Sequence, residues 1–515
     1  MSEATQKFPL ERLLNTLTEA VTKAGGTPFL VGGAVRDGLL GLESKDMDVL
    51  VTGLESETLK TVLEGVGRVD LVGKSFGVFK VSSEGETLDV ALPRLERSTG
   101  THHRDFEVDY NAFLPLEADL ERRDFTVNAM AWRLDGADVR FQTSDLRRQA
   151  DRPDRRAGPL DAVLFKTCRS VQDTSEKSLI DPFRGKVDLE RRTLRAVGNS
   201  RARFEDDPLR MLRLARFVAK LDFFVEEETA LAVRGNAYLI ETVALERVQT
   251  ELMGLLAAPH PDGVLRALRF LRDSTLLERI LPEFKATFGF EQQNPYHHLT
   301  LEEHIFAAVR YAVEHSFNPL SRLALLLHDL GKPETQSFGE DGFLNKAAPS
   351  GPVRVAHYYK HEEVGAEMAE GILERLKFPL EVQKSVVKLV RQHMRPPLDA
   401  STRVLRRFIN DLGPDWERAL GVRVSDRMAH TFEPNFDAVA WLDAARARAL
   451  EVSNELEHFD ERQLAISGLE LVKLFGVQGS AIGDLKKRIA RAVVEGEVSN
   501  EREGILRWLE AQERG

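Results

Sequence analysis

The stretch from Phe29 to Val51 constrains this chain more than any other. An apolar run, Phe29 to Val31, breaks at Gly32-Gly33, and a short helical pattern follows through Val35, Leu39 and Leu40. A second apolar strand then opens with Asp46 and Asp48. Alternate residues of a strand share one face, so the two carboxylates stand side by side. Oxygen-only ligands at this spacing suit Mg²⁺, and two such ions, roughly 3.5–4 Å apart, clamp in-line displacement at phosphorus. The Gly-Gly turn ahead of a helix offers free backbone N–H groups and the positive end of the helix dipole to a phosphate. No Gly-Lys-Ser/Thr follows, which excludes a Walker A loop, and the dinucleotide spacing of glycines is missing. An ordinary turn and a solvated strand edge would explain Asp-x-Asp alone, but not the whole succession. The stretch reads as a site of nucleotidyl transfer.

At 515 residues the chain exceeds what one core supports, and three or four domains are expected. The single cysteine, Cys168, excludes a disulfide framework and fits a reducing cytosol, so a cytoplasmic location is expected. Met1 to Gly26 is an amphipathic helical pattern rather than a signal peptide. No apolar run approaches the roughly 20 residues of a membrane span. A net charge of −11 argues against a general polyanion binder, so any nucleic-acid contact must be local. Such a locality runs from Arg184 to Lys220, with eleven Lys/Arg against five Asp/Glu.

Along the chain, residues 1–142 alternate helical and strand patterns, with short strands expected at Arg68–Val72, Val78–Ser82 and Thr87–Leu92. Residues 143–180 form an insertion; its Arg- and Asp-rich part, Arg147 to Arg156, reads as exposed or flexible. A helical hinge and neck spans 181–290, a histidine-bearing helical region 291–435, and a helical tail 436–515 with a Gly-rich break at Gly476–Gly483. The expected class is α+β: a small mixed-sheet head, then mostly α-helical domains.

Two further constellations carry chemistry. Arg122-Arg123-Asp124, followed by Asn128, stands before an apolar run expected to be helical. Guanidinium forks suit phosphate and a carboxylate suits a ribose hydroxyl, although a helix start with a local ion pair would look the same. Asp207-Pro208-Leu209-Arg210 marks a helix N-terminus, since Pro is favoured there. Asp207 and Arg210 share one face. A carboxylate accepts from the exocyclic amine of cytosine or adenine while a guanidinium donates to ring acceptors, so the pair suits C and A over U and G. A capping acid with an i,i+3 ion pair is the plainer alternative.

Taken together, these residues resemble the class II tRNA nucleotidyltransferase/poly(A) polymerase family with an appended HD domain. Gly32 through Asp48 resembles its metal-binding motif and Arg122 to Ala129 its ribose and triphosphate motif. Asp181 to Leu189 resembles its hinge motif, Asp206 to Arg210 its amino-acid template, and Glu246-Arg247 with Glu251 its neck motif. Asp206 holds a place where the family has Glu. The resemblance implies that Asp46 and Asp48 hold two Mg²⁺, and that Gly32, Gly33, Arg36, Arg122, Arg123, Asp124, Asn128 and Arg213 contact the nucleotide. Asp207 and Arg210 would read its base. Asp89 is a candidate third carboxylate or a structural strand acid.

The histidine-rich region offers His304, His328-Asp329, His361, His393 and Asp426. These resemble an HD phosphohydrolase site, whose N/O ligands favour Ni²⁺, Mn²⁺, Fe or Zn²⁺. The implied activity is template-independent addition of C and/or A from CTP and ATP to the tRNA 3′ end, with the acceptor arm as partner and no membrane. A homodimer through the HD region and an HD hydrolase activity are also implied. The alternatives are a poly(A) polymerase, or an HD phosphohydrolase or phosphodiesterase as the main activity.

Overall fold

The computed structural model describes residues 9–42, 47–71, 77–98, 106–134, 178–293, 298–338, 344–345, 353–395, 400–430, 436–455 and 459–513. Most of the segment expected as an insertion, together with Asp46 and Cys168, lies outside the described residues. The chain divides into two compact units, residues 1–218 with 223–243 and residues 219–222 with 244–515.

The first unit is built on a seven-stranded sheet. Its strands are β1 (Thr27–Val31), β2 (Asp48–Thr52), β3 (Arg68–Leu71), β4 (Val78–Ser83), β5 (Glu86–Ala91), β8 (Ala131–Arg133) and β9 (Leu179–Ile180). A separate hairpin pairs β6 (Arg94–Ser98) with β7 (Phe106–Tyr110). The sheet order is β3-β4-β5-β2-β1-β8-β9, and β2 and β5 run parallel while the other neighbours are antiparallel. Strict alternation sorts the side chains. Phe29, Val31 and Leu50 share a buried cluster with Leu116, Leu120, Ala129, Ala131 and Val197 on one face. Behind the other face lies the helix Pro9–Lys23, whose Leu13, Leu14, Leu17 and Val21 recur at helical spacing and are buried.

The strands expected near residues 68, 78 and 87 form within a residue or two of their expected bounds. The segment after Asp124 differs from expectation. It makes a single 3₁₀ turn, Thr126–Asn128, and then strand β8 rather than a helix. The physical reason is tertiary: the free edge of β1 takes up Ala131–Arg133 through the register Phe29↔Arg133 to Val31↔Ala131. Leu179–Ile180, at the end of the expected insertion, pairs with β8 and extends the same sheet.

The second unit is helical. Leu301–Glu314, Pro319–Leu327, His361–Arg375, Leu380–Gln392 and Trp416–Met428 form its central bundle, buried through residues such as Phe306, Leu326, Leu373, Leu389 and Leu420. The tail carries helices Ala438–Glu455, Gly468–Phe475, Ser480–Val494 and Arg502–Glu513, the last three packed around Ile466, Leu471, Ile489, Ile505 and Leu509. The helix Gly468–Phe475 begins with a capping box between Ser467 and Glu470 and stops at Gly476, whose φ of 67° is the left-handed C-cap conformation. No helix among the described residues is long and apolar enough to cross a membrane.

Candidate functional site

In the head, the sheet register assembles the first half of the site. Val31 is paired with Asp48 across the antiparallel β1–β2 ladder, so the turn that follows Val31 falls beside that carboxylate. Asp48 is in turn the register partner of Asp89 on the parallel neighbour β5. Paired residues of adjacent strands point to the same face, about 4.8 Å apart along the sheet, and both acids are exposed. Two exposed carboxylates thus stand side by side on neighbouring strands, one opening β2 and the other within β5. Such an all-oxygen donor set fits Mg²⁺.

Gly32 is required here twice over. Its φ of 70° is a left-handed value that side-chain-bearing residues rarely adopt. A Cβ would also lie 2.6 Å from Arg123 Nη1 and 3.9 Å from Asp48 Oδ2. The Gly32 N–H donates to the Met130 carbonyl at 3.3 Å, and Gly33 opens the helix Gly33–Leu39. The guanidinium of Arg123 therefore rests against the glycine turn next to Asp48.

Both arginines of the second motif are held by Asp119, whose side chain is completely buried. Arg122 Nε and Nη2 donate to its Oδ1 at 2.9 and 2.6 Å, and Arg123 Nη2 donates to Oδ2 at 3.3 Å. Sequence reasoning missed Asp119, although an acid three and four residues ahead of two arginines on a helical segment is a readable signal.

Asp124 is buried and fully engaged. Its Oδ1 accepts from the Phe125 N–H at 2.8 Å and from Asn128 Nδ2 at 3.0 Å, and its Oδ2 accepts both arms of the Arg213 fork at 2.9 and 2.6 Å. Burial opposes its ionisation, but Arg213, Asn128 and the Phe125 N–H outweigh that and hold the carboxyl below its ordinary range. Arg36 is 3% exposed and donates to Asp37 Oδ1 at 2.7 Å and to Asn128 Oδ1 at 2.7 Å. It braces the turn from within.

Asp207 sits outside helical geometry, just ahead of the helix Leu209–Leu221, and its Oδ1 accepts the Leu209 N–H at 3.2 Å. Arg210 donates to the carbonyls of Arg203 and Arg122, each at 3.1 Å. The two template residues are thus anchored to the backbone, and Arg210 ties their helix to the second motif. The hinge motif is tied in as well: Asp188 Oδ2 accepts from Thr126 Oγ1 at 2.6 Å and from Arg195 at 2.7 Å.

The second unit holds a buried cluster assembled from separate helices. Helix Leu301–Glu314 gives His304, the end of Pro319–Leu327 gives His328 and Asp329, and helix His361–Arg375 gives His361. His393 follows Leu380–Gln392, and Asp426 lies in Trp416–Met428. His304 Nε2 is 3.2 Å from both Asp329 and Asp426, and His328 Nε2 is 3.1 and 3.4 Å from the same two carboxylates. His361 and His393 Nε2 lie 3.5 and 3.7 Å from Asp329 Oδ1 and 3.2 Å from each other. Every one of the four imidazoles turns Nδ1 to a backbone carbonyl: Ala429, Leu325, Tyr358 and Val390 in chain order. That orientation aims the four Nε2 atoms inward, the arrangement expected of metal ligands. No well-formed hydrogen bond reaches the buried His328 Nε2 or Asp329 Oδ1, which leaves donor atoms for an ion.

The donor atoms form two groups that share Asp329: His304, His328, Asp329 and Asp426, and Asp329, His361 and His393. Burial works against a charged His328, yet Asp329 and Asp426 push its pKa up to about 10, while burial and then His328 push His393 down to about 3. Asp329 stays well below the ordinary carboxylate range because His328 and Lys332 overcome its burial. Lys332 Nζ lies 2.7 Å from Asp329 Oδ2 and donates to Gln292 at 2.9 Å, and His430 Nε2 lies 3.2 Å from Asp426. Sequence reasoning gave no role to Lys332 or His430. Gly331 permits the close approach of the two helices, since a Cβ there would meet the His361 carbonyl at 2.4 Å.

Three family models match in the order of these parts: the Poly A polymerase head domain over residues 28–149, the probable RNA and SrmB-binding site of polymerase A over 222–288, and the HD domain over 301–429. The multifunctional CCA protein of Aromatoleum aromaticum is 35% identical over 372 residues, covering 71% of this chain and 74% of its own. That of Azoarcus sp. is 34% identical over 370 residues, covering 71% and 73%. Among solved structures, the Bacillus stearothermophilus CCA-adding enzyme in complex with CTP has the same fold, with a TM-score of 0.59 at 23% identity over 99% of this chain and 98% of that one. By its head, its HD region and the extent of this identity, the chain belongs to the multifunctional CCA protein family and is a nucleotidyltransferase.

Proposed function

We propose that the head lengthens the 3′ end of tRNA with C and A from CTP and ATP, without a nucleic-acid template. The observation that carries this reading is the juxtaposition of Asp48, Asp89, the Gly32 turn and the Arg123 guanidinium at one end of the sheet. Asp46 and Asp48, with Asp89 across the ladder, are the residues that would hold Mg²⁺. Bound there, two such ions supply charge neutralisation at the phosphorus and at the departing pyrophosphate. Arg123 lies where it meets the triphosphate, and Asp119 keeps it and Arg122 in place. Asp207 and Arg210, fixed through Leu209 N–H and two carbonyls, present the base-reading edge. The bond formed joins the RNA 3′ oxygen to the α-phosphorus, and pyrophosphate leaves.

The test is incorporation on three tRNAs, ending before CCA, after one C, and after CC, each given CTP, ATP or both. Ordered addition of C, C and A supports the reading. Unlimited A addition on unstructured RNA would favour poly(A) synthesis instead. The identity to proteins named multifunctional CCA protein favours the first outcome.

The HD cluster supports a second activity, hydrolysis of a phosphoester. His304, His328, Asp329 and Asp426 would hold one transition-metal ion, and Asp329, His361 and His393 would hold another. Imidazole and carboxylate donors suit Ni²⁺, Mn²⁺, Fe or Zn²⁺. The enzyme is read as cytoplasmic and as a homodimer through the HD region, which sedimentation of the full chain and of an HD-surface variant tests.

A further inference from the structure

Three guanidinium groups surround one phenyl ring in the head. The Cζ atoms of Arg36, Arg213 and Arg216 lie 5.3, 5.8 and 5.4 Å from the centroid of Phe217, a residue only 6% exposed. On another side the ring of Phe125 meets it edge-on at 5.7 Å and 80°. Arg213 is one helical turn from Phe217, but Arg36 comes from the helix that follows the Gly32-Gly33 turn.

The contacts close into a ring. Arg36 Nη1 donates to Asn128 Oδ1, Asn128 Nδ2 donates to Asp124 Oδ1, and the Arg213 fork donates to Asp124 Oδ2. Arg36 and Arg213 then meet again on Phe217. The two like charges are offset by carboxylates, Asp37 beside Arg36 and Asp124 beside Arg213. The negative faces of the aromatic ring add a second, shared attraction that draws both guanidiniums to one place, and such contacts strengthen when water is excluded.

We propose that Phe217 is a positioning residue for base selection. Its ring fixes the helix Leu209–Leu221 in register with the Gly32-Gly33 turn. A helix is rigid over two turns, so a fixed Phe217 and Arg213 also fix Arg210 in its first turn, and Asp207, just ahead of the helix, is tied to it by accepting the Leu209 N–H. The base-reading pair and the triphosphate turn are thereby held at one distance, and selectivity depends on that distance because an ångström of misplacement costs much of a transition-state interaction. The proposal rests on the reading of Asp207 and Arg210 as the base-reading groups.

The test compares Phe217→Leu, which keeps apolar bulk but removes the ring, with Phe217→Tyr, which keeps the ring. The full chain is assayed for single additions to tRNA lacking its CCA end, with CTP against UTP. Phe217→Leu lowers the CTP/UTP ratio of kcat/KM by at least about tenfold, and Phe217→Tyr stays within about twofold of the unaltered chain. A purely structural role would depress both nucleotides alike and leave the ratio intact, and that result on a folded Phe217→Leu variant overturns the proposal. Should Phe217→Leu fail to fold, Arg213→Lys, which keeps the charge but gives up the planar face against the ring, is expected to lower the same ratio, and an unchanged ratio overturns the proposal. Asp207→Asn separates the two layers. If it lowers the ratio while Phe217→Leu does not, only the role of Phe217 falls; if it leaves the ratio unchanged, the base-reading assignment falls and the proposal falls with it.

Discussion

The head site and the HD cluster are built on opposite principles. In the head, Asp48 and Asp89 are exposed, while the arginines of the neighbouring motifs are tied down by buried acids: Asp119 under Arg122 and Arg123, and Asp124 under Arg213. In the HD cluster the ligands themselves are buried, within 7% exposure, and already converge before any ion is bound. An open site suits a reaction whose charged groups arrive with the substrate, because nucleotide and primer must both enter and leave. A closed cluster of carboxylates and imidazoles is costly without a cation, since buried charge demands compensation. The difference teaches that preorganisation sits in the supporting shell of one site and in the ligands of the other.

Substitutions that separate the two sites test that contrast most severely. Asp48→Ala is expected to lower nucleotide addition by about a thousandfold or more, with the transition-metal content of the purified chain, measured by plasma emission, unchanged. Loss of both together would mean that the sites are not independent. Asp329→Ala removes the residue common to both donor groups, so bound transition metal falls to background and phosphoester hydrolysis drops by at least about a hundredfold. Addition of C and A should persist at the unaltered rate.

Smaller effects come from the supporting residues. Asp119→Asn weakens the hold on two guanidiniums and should raise KM for CTP about tenfold with less effect on kcat, as steady-state kinetics will show. Gly331→Ala forces a methyl against the His361 carbonyl and should destabilise the second unit by about 1–3 kcal/mol, read as lower thermal stability and faster metal loss to a chelator.

The mildest test uses pH. Asp124 is held below the ordinary carboxyl value of 3.8 in the folded chain. Its contribution to stability is therefore complete above that value and lost as pH falls through the lower folded pKa. Asp124→Asn should flatten the acid limb of the head's unfolding curve below about pH 4 and leave its shape above pH 5 unchanged. An identical acid limb in both chains would show that the Asp124–Arg213 pair contributes nothing there.

Much of this was readable in the chain. The strand, Gly-Gly, helix, strand succession of Phe29 to Val51 appears as expected, because apolar alternation and glycine punctuation act locally. The six HD residues are named from the sequence and lie in or just after five different helices, yet all six meet. The apolar run after Asn128 departs from the expected helix because its conformation is set by the open edge of β1, a partner 100 or more residues earlier. Asp119, Lys332, His430 and Phe217 were passed over because each acts on another side chain rather than bearing chemistry itself.

By itself the sequence determined the kinds of groups present and their local frames: an acid opening a strand, a glycine turn before a helix, arginines beside an aspartate, and imidazoles in or just after helices. Those follow from the short periods of helix and strand. Only tertiary structure decided which groups face one another: Asp48 against Asp89, Arg123 against Gly32, and Asp329 between two sets of histidines. Register and helix packing are settled by burial summed over whole elements, and no single residue in the chain carries that sum.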